Sequence, residues 1–300
     1  MTADWRGVYP AVTTQFRSDQ TLDLEATAAH VERLIGAGCH GAIMLGTLGE
    51  SQSLEWQEKR DVVMAAIDQA AGRVPVLAGV AETATARACR FAGEMEKLGA
   101  GGLMVLPGLL YKSDARETLL HFRQVARASD LPVMIYNNPV TYGIDVTPEM
   151  FGELADEETV VAIKESSDDV RRITDLVNLC GERYRLFCGV DDLALEALLL
   201  GAEGWVAGLV NAFPAETVRI WELAQSQRWE EARALYRWFT PLLHLDTHPK
   251  LVQYIKLAQA MAGMGGETVR APRQTLEGAE RARVVAIVEA ALAERPKLAA

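Results

Sequence analysis

The run Val160-Val161-Ala162-Ile163-Lys164-Glu165-Ser166-Ser167-Asp168-Asp169 sets one lysine at the end of four consecutive apolar residues. An apolar run of that length, bounded by polar residues, reads as a short strand buried on both faces. Ser166, Ser167 and Asp168 then offer N-caps for a following helix. An amine held among apolar walls loses part of its preference for the charged form. It can then attack a ketone and form a Schiff base. The same residues also fit a lysine whose stem lies along apolar surface while its head meets Glu165 or an aspartate. The elements around the lysine decide between the two.

Those elements alternate with regularity. Strands are expected at Val8–Thr14, Ala42–Leu45, Val74–Ala78, Gly102–Leu106, Pro132–Tyr136, at the lysine run, at Arg185–Gly189 and at Gly204–Gly208. A helical pattern follows each, as in Leu24, Ala28, Val31, Leu34 and Ile35, closed by Gly36 and Gly38. Thr147-Pro148-Glu149 opens a short helix with proline at an early position. Strand–helix units in this order match the α/β class and a (β/α)₈ TIM barrel over residues 1–228. A doubly wound open sheet is disfavoured, because no GxGxxG loop follows the first strand and no Walker lysine loop occurs. Residues 229–300 read as three further helices (Trp229–Leu243, Lys250–Met264, Leu276–Leu292) packed on the barrel or on a neighbouring subunit.

A barrel brings its strand ends to one mouth, the place where such folds keep their chemistry. The second strand supplies Gly46-Thr47-Leu48-Gly49-Glu50, whose glycines let the amides of Thr47 and Leu48 face an anion such as a carboxylate. Strand five supplies Tyr136, a phenol able to pass protons beside Lys164. Strand seven supplies Gly189-Val190-Asp191-Asp192, where a glycine leaves room and two acids can accept hydrogen bonds from hydroxyls. Taken singly, these residues fit a turn, a half-buried strand tyrosine and a helix cap. Their joint placement at the mouth that holds Lys164 favours a site.

Composition excludes several other classes. With 300 residues and 49% hydrophobic content, the chain can bury a large core. No run approaches the roughly 20 apolar residues a membrane-spanning helix needs, and the Met1–Trp5 start lacks a signal peptide's basic and apolar regions. A cytoplasmic protein is expected. A net charge of −11 disfavours nucleic acid and anionic membrane as partners. Cys39, Cys89, Cys180 and Cys188 form no CxxC pair, so no metal site is expected and the cysteines read as small buried hydrophobes.

The chain resembles the dihydrodipicolinate synthase and N-acetylneuraminate lyase superfamily. The likeness runs from Gly7 to about Arg273 through Gly46-Thr47-x-Gly49-Glu50-Ser51, Tyr136-Asn137-x-Pro139, Ile163-Lys164-Glu165-Ser166-Ser167, Gly189-x-Asp191-Asp192, Gly201-Ala202-x-Gly204 and Val269-Arg270-Ala271-Pro272. The resemblance implies a (β/α)₈ lyase that forms an imine between Lys164 and a 2-oxo acid, usually pyruvate, without a cofactor. It implies Tyr136 as proton shuttle, Thr47 in the relay, the amides of Thr47 and Leu48 on the substrate carboxylate, and the Val206 backbone lining the keto-acid site. It also implies a homotetramer.

Three departures separate this chain from the synthase itself, the first being Leu48 in the place of the second threonine that follows the synthase's GT motif. The arginine expected shortly after the YNxP motif is Thr141, and the second relay tyrosine, which a neighbouring subunit contributes, falls on Leu110 with Tyr111 adjacent. Threonine cannot replace a bidentate arginine–carboxylate contact. These departures argue against lysine biosynthesis, and Asp191 and Asp192 suggest a substrate with a hydroxylated or amino-bearing distal part: the expected reaction is a catabolic aldol cleavage, dehydration or deamination of a keto-deoxy sugar acid or a hydroxyproline-derived imino acid. A true dihydrodipicolinate synthase and a non-catalytic keto-acid-binding protein are the alternatives.

Overall fold

The computed structural model describes residues 3–298. Eight strands carry the frame: β1 (Gly7–Pro10), β2 (Ala42–Met44), β3 (Val76–Val80), β4 (Gly102–Val105), β5 (Val133–Asn137), β6 (Val160–Glu165), β7 (Arg185–Cys188) and β8 (Gly204–Ala207). All pair in parallel, β1 with β8 and then in order back to β2. A bridge between Ala11 and Ile43, with the Val12 amide donating to the Ile43 carbonyl at 2.9 Å, closes the ring. The fold is a (β/α)₈ barrel.

The helices between strands are α1 (Leu24–Gly36), α2 (Trp56–Ala70), α3 (Thr85–Leu98), α4 (Ala115–Ala126), α5 (Pro139–Tyr142), α6 (Pro148–Glu153), α7 (Arg171–Cys180) and α8 (Ala194–Leu199). After β8 come α9 (Pro214–Gln225), α10 (Trp229–Leu243), α11 (Leu251–Met261) and α12 (Gly278–Ala293). Local chemistry sets several boundaries. Asp23 caps α1 by accepting from the Ala26 amide, and reciprocal capping boxes open α2 (Glu55, Glu58) and α4 (Asp114, Glu117).

Three expectations need correction. Regular pairing in β1 stops at Pro10, because Thr13 and Thr14 turn their hydrogen bonds to Asn211 and to the Gly49 carbonyl. Ser166, Ser167 and Asp168 do not cap α7. Its N-cap is Val170, without a side-chain bond, and Asp168 takes a left-handed φ of 62° that carries the loop over the barrel mouth. The one-turn helix α5 was not expected, although Asn138-Pro139 and Gly143 spell it: Asn138 Oδ1 accepts from the Thr141 amide and Gly143 closes the turn at φ 71°.

Aromatic rings fill the barrel below the mouth. Tyr9 stands edge-on to Phe187 at 5.2 Å, and a Cβ on Gly204 would lie 2.2 Å from the Phe187 ring. The helices after α9 reach back to the mouth. Lys256, on α11, buries its ammonium against Glu50 at 2.6 Å, and the other Glu50 oxygen accepts from the Arg270 amide. Removing either charge of such a buried pair leaves the other without compensation. The pair therefore ties the β2–α2 loop to the C-terminal segment.

Candidate active site

At the C-terminal ends of the strands lies a cavity of about 490 Å³. Strand register places Tyr136 directly beside Lys164, and Lys164 beside Phe187. The lysine is buried, and its Nζ sits 3.9 Å from the centroid of the Tyr136 ring. Of the three buried lysines among the described residues, Lys59 bonds Glu82 at 2.7 Å and Lys256 bonds Glu50 at 2.6 Å. Lys164 makes no ion pair with any described residue; Glu165, the nearest acid in sequence, is occupied by the Asn137 amide group and the Ser167 backbone. Burial pulls the Lys164 pKa below the ordinary 10.5, and the field of Asp246 opposes this without overcoming it.

Gly189 makes room for that lysine. A Cβ there would stand 2.1 Å from Ser166 Oγ and 2.5 Å from Lys164 Cε. Tyr136 keeps its proton: burial pushes its pKa up to about 12, while its hydroxyl accepts from Asn138 Nδ2 at 2.9 Å.

The Thr47–Leu48 loop forms the opposite wall. Neither amide hydrogen donates to any acceptor among the described residues, which leaves both for an anion. Gly49 allows the bend, as expected, since a Cβ there would lie 2.9 Å from the Leu45 nitrogen, and Leu45 (φ 63°) and Glu50 (φ 51°) take left-handed backbone at its two ends. Gly79 admits it, since a Cβ there would lie 2.6 Å from the Leu45 carbonyl oxygen. The Thr47 hydroxyl bonds the Tyr142 hydroxyl at 2.6 Å, and Tyr142 packs edge-on against Tyr136 with centroids 5.7 Å apart.

The structure brings Lys164, Tyr136, Thr47, Leu48, Gly189 and Val206 to one cavity. It does not bring Asp191 and Asp192 there. Asp191 is fully buried, and its carboxylate accepts from Trp205 Nε1 and the amides of Gly208 and Leu209, fixing the end of β8. Burial pushes its pKa up to about 6 against the pull of those donors. Asp192 turns to His244 Nδ1 at 2.7 Å. The acids that do line the cavity are Asp168 and Asp246. Burial, with repulsion from Asp191, holds Asp246 well above the usual carboxylate range. Arg273, with a guanidinium nitrogen 3.7 Å from Glu50, adds a second cation to the lining.

Asp168 stood within the lysine motif. Asp246 and Arg273 carried no local signal, because they reach the mouth only when the C-terminal segment folds over it. Among the described residues no group of three or more His, Cys, Asp or Glu is placed to hold a metal ion, and no helix is long and apolar enough to cross a membrane.

A parallel (β/α)₈ barrel with one unpaired lysine at its mouth, flanked by a phenol and by free amides, defines the class of imine-forming barrel lyases. The sequence model of the Dihydrodipicolinate synthetase family matches residues 4–291, and the chain belongs to that family and is a lyase. It is 32% identical over 271 residues to the 4-hydroxy-tetrahydrodipicolinate synthase of Methanospirillum hungatei, covering 89% of this chain and 93% of the relative. The dihydrodipicolinate synthase of Aquifex aeolicus superposes with a TM-score of 0.91 at 28% identity, over 95% of this chain and 97% of that one. YagE of E. coli K12, a prophage protein of the dihydrodipicolinic acid synthase family solved in complex with pyruvate, gives a TM-score of 0.91 at 28% identity, over 97% and 99% of the two chains.

Proposed function

We propose that Lys164 forms an imine with pyruvate or the 2-oxo end of a longer acid, and that the enzyme uses it to cleave or dehydrate a hydroxylated 2-oxo acid or to deaminate a nitrogen-bearing one. The observation that carries this reading is the contrast among the buried lysines: two are neutralised by carboxylates at hydrogen-bonding distance, and Lys164 is not. The free amides of Thr47 and Leu48 would hold the substrate carboxylate, with the Val206 backbone beside it. The amine adds to the 2-oxo carbon, water leaves, and the protonated imine draws the electron pair of the neighbouring bond as it breaks. The phenol of Tyr136 would pass protons to and from the reacting carbon.

A cavity of about 490 Å³ lies in the range of small-ligand sites and exceeds the needs of a three-carbon acid. Its lining also carries Asp168, Asp246, Thr247 and His248, acceptors and donors suited to hydroxyls. This supports a keto-deoxy sugar acid or a hydroxyproline-derived imino acid, with Asp168 and Asp246 in the part first given to Asp191 and Asp192. No cofactor is required, and a homotetramer is the assembly the family resemblance implies.

Arg273 supports a second reading. Thr141 lines the cavity where the synthase resemblance calls for an arginine, and Arg273 brings a guanidinium to the same space. If that group grips the aldehyde's carboxylate, the enzyme condenses pyruvate with aspartate semialdehyde. Turnover separates the two. The lyase reading expects keto product from hydroxylated 2-oxo acids and none from pyruvate plus aspartate semialdehyde in a reductase-coupled assay; the reverse pattern establishes the synthase.

Tyr136→Phe tests the proton shuttle. Imine trapping with pyruvate should persist while turnover falls by about 10²–10⁴. An unchanged turnover rate removes the phenol from the reaction.

A further inference from the structure

We propose that Tyr142 is a positioning residue for proton transfer through Thr47, so that each chain completes its own relay without a phenol from a second copy. The proposal rests on the imine reading above.

The geometry comes from α5. Asn138 and Pro139 start this single turn and Gly143 ends it, which aims the Tyr142 side chain back at the β2–α2 loop. There its hydroxyl meets Thr47 Oγ1 at 2.6 Å, while its ring stands at 84° to that of Tyr136. Lys164 Nζ lies over the other ring of this pair. Thr47 lines the cavity and Tyr142 stands behind it, so the hydroxyl pair runs outward from the cavity wall into the body of the protein.

Within its own chain, the phenol next to the expected relay position is turned to an acid of α4. Leu110 is 93% exposed and Tyr111 is 64% exposed, with the Tyr111 hydroxyl donating to Glu117 at 3.0 Å.

The chemistry needs such a pair. When the carbinolamine collapses, the C2–O bond breaks, the nitrogen lone pair forms the C=N bond, and the departing oxygen takes a proton and leaves as water. When the enamine forms, a C3 proton leaves and its electron pair moves into the imine. Thr47 can pass either proton only by gaining one as it gives one up, and the Tyr142 hydroxyl is placed to make that exchange. Burial raises the pKa of both Tyr136 and Tyr142, which disfavours a free phenolate and favours concerted transfer between neutral hydroxyls.

Deuterium exchange into the methyl group of pyruvate in D₂O reads this step with pyruvate as the sole probe, and borohydride trapping reads imine formation in parallel. Tyr142→Phe should keep the end-point yield of trapped imine and half-saturation by pyruvate near wild type, because both are equilibrium quantities, while the maximal exchange rate falls about 10²-fold. Thr47→Val combined with Tyr142→Phe should exchange no more slowly than Thr47→Val alone, because both remove one relay. Tyr111→Phe should exchange at the wild-type rate. Wild-type exchange in Tyr142→Phe, or a loss of exchange in Tyr111→Phe, overturns the proposal. A wild-type enzyme that traps no pyruvate overturns the imine reading instead, and the relay with it.

Discussion

Lys164→Arg is expected to abolish turnover and to leave no borohydride-trappable adduct with pyruvate, while the fold persists. The imine needs a neutral amine with a lone pair. A guanidinium stays protonated at every pH a protein survives and is a poor nucleophile. Lys164 meets the requirement because its surroundings offer an aromatic face at 3.9 Å and no carboxylate at bonding distance. Its pKa therefore falls below 10.5, and imine formation should rise with pH through a midpoint lower than that value and level off above it. The sign follows from the neutral form being the reactive one: below the lowered pKa the amine is protonated and silent, above it free. Lys59 and Lys256, held by Glu82 and Glu50, should not react. Appreciable turnover by Lys164→Arg, with an unchanged circular dichroism spectrum, would refute the role of the amine.

Gly189→Ala should come close to that loss although it removes no functional group. The added methyl would sit 2.1 Å from Ser166 Oγ, 2.5 Å from Lys164 Cε and 2.7 Å from Lys164 Cγ. Contacts that short force either the β7 end or the lysine stem to move. The stem is held from the far side by the Tyr136 ring, whose strand pairs directly with β6. A displacement of about 1 Å at a reacting group costs on the order of 10²-fold in rate, and overpacking of this kind costs about 1–3 kcal/mol in stability. The expected result is a folded protein with a lowered melting temperature and imine trapping reduced about 10²-fold or more. Trapping at the wild-type rate would mean that the lysine reaches its substrate by another path than the one Gly189 leaves open.

The barrel was legible because each strand is an apolar run of buried length followed by a helical pattern, and parallel pairing needs no further instruction. Lys164, Tyr136, Thr47, Leu48, Gly189 and Val206 were legible for the same reason: each stands in or just beyond a strand, and a barrel carries all strand ends to one mouth. Asp191 and Asp192 show the limit of that rule. They follow β7 as the others follow their strands, yet Asp191 turns inward to the Trp205 indole and the amides just beyond β8, and Asp192 turns outward to His244. Position along a strand fixes where a residue starts, and neighbouring donors decide where its side chain goes. Asp246 and Arg273 lay beyond reach, since α10 and α11 carry them to the mouth through tertiary packing alone. Tyr142 was recoverable from Asn138-Pro139 and Gly143, had that turn been read as a helix of its own.

The central claim, an imine on Lys164, is tested most directly by reducing the protein with borohydride in the presence of pyruvate and mapping the adduct by peptide mass spectrometry. A reduced pyruvyl group on the peptide that contains Lys164, absent from Lys164→Arg, is the expected result. An adduct on Lys59 or Lys256, or none with pyruvate or with any hydroxylated 2-oxo acid, would contradict it.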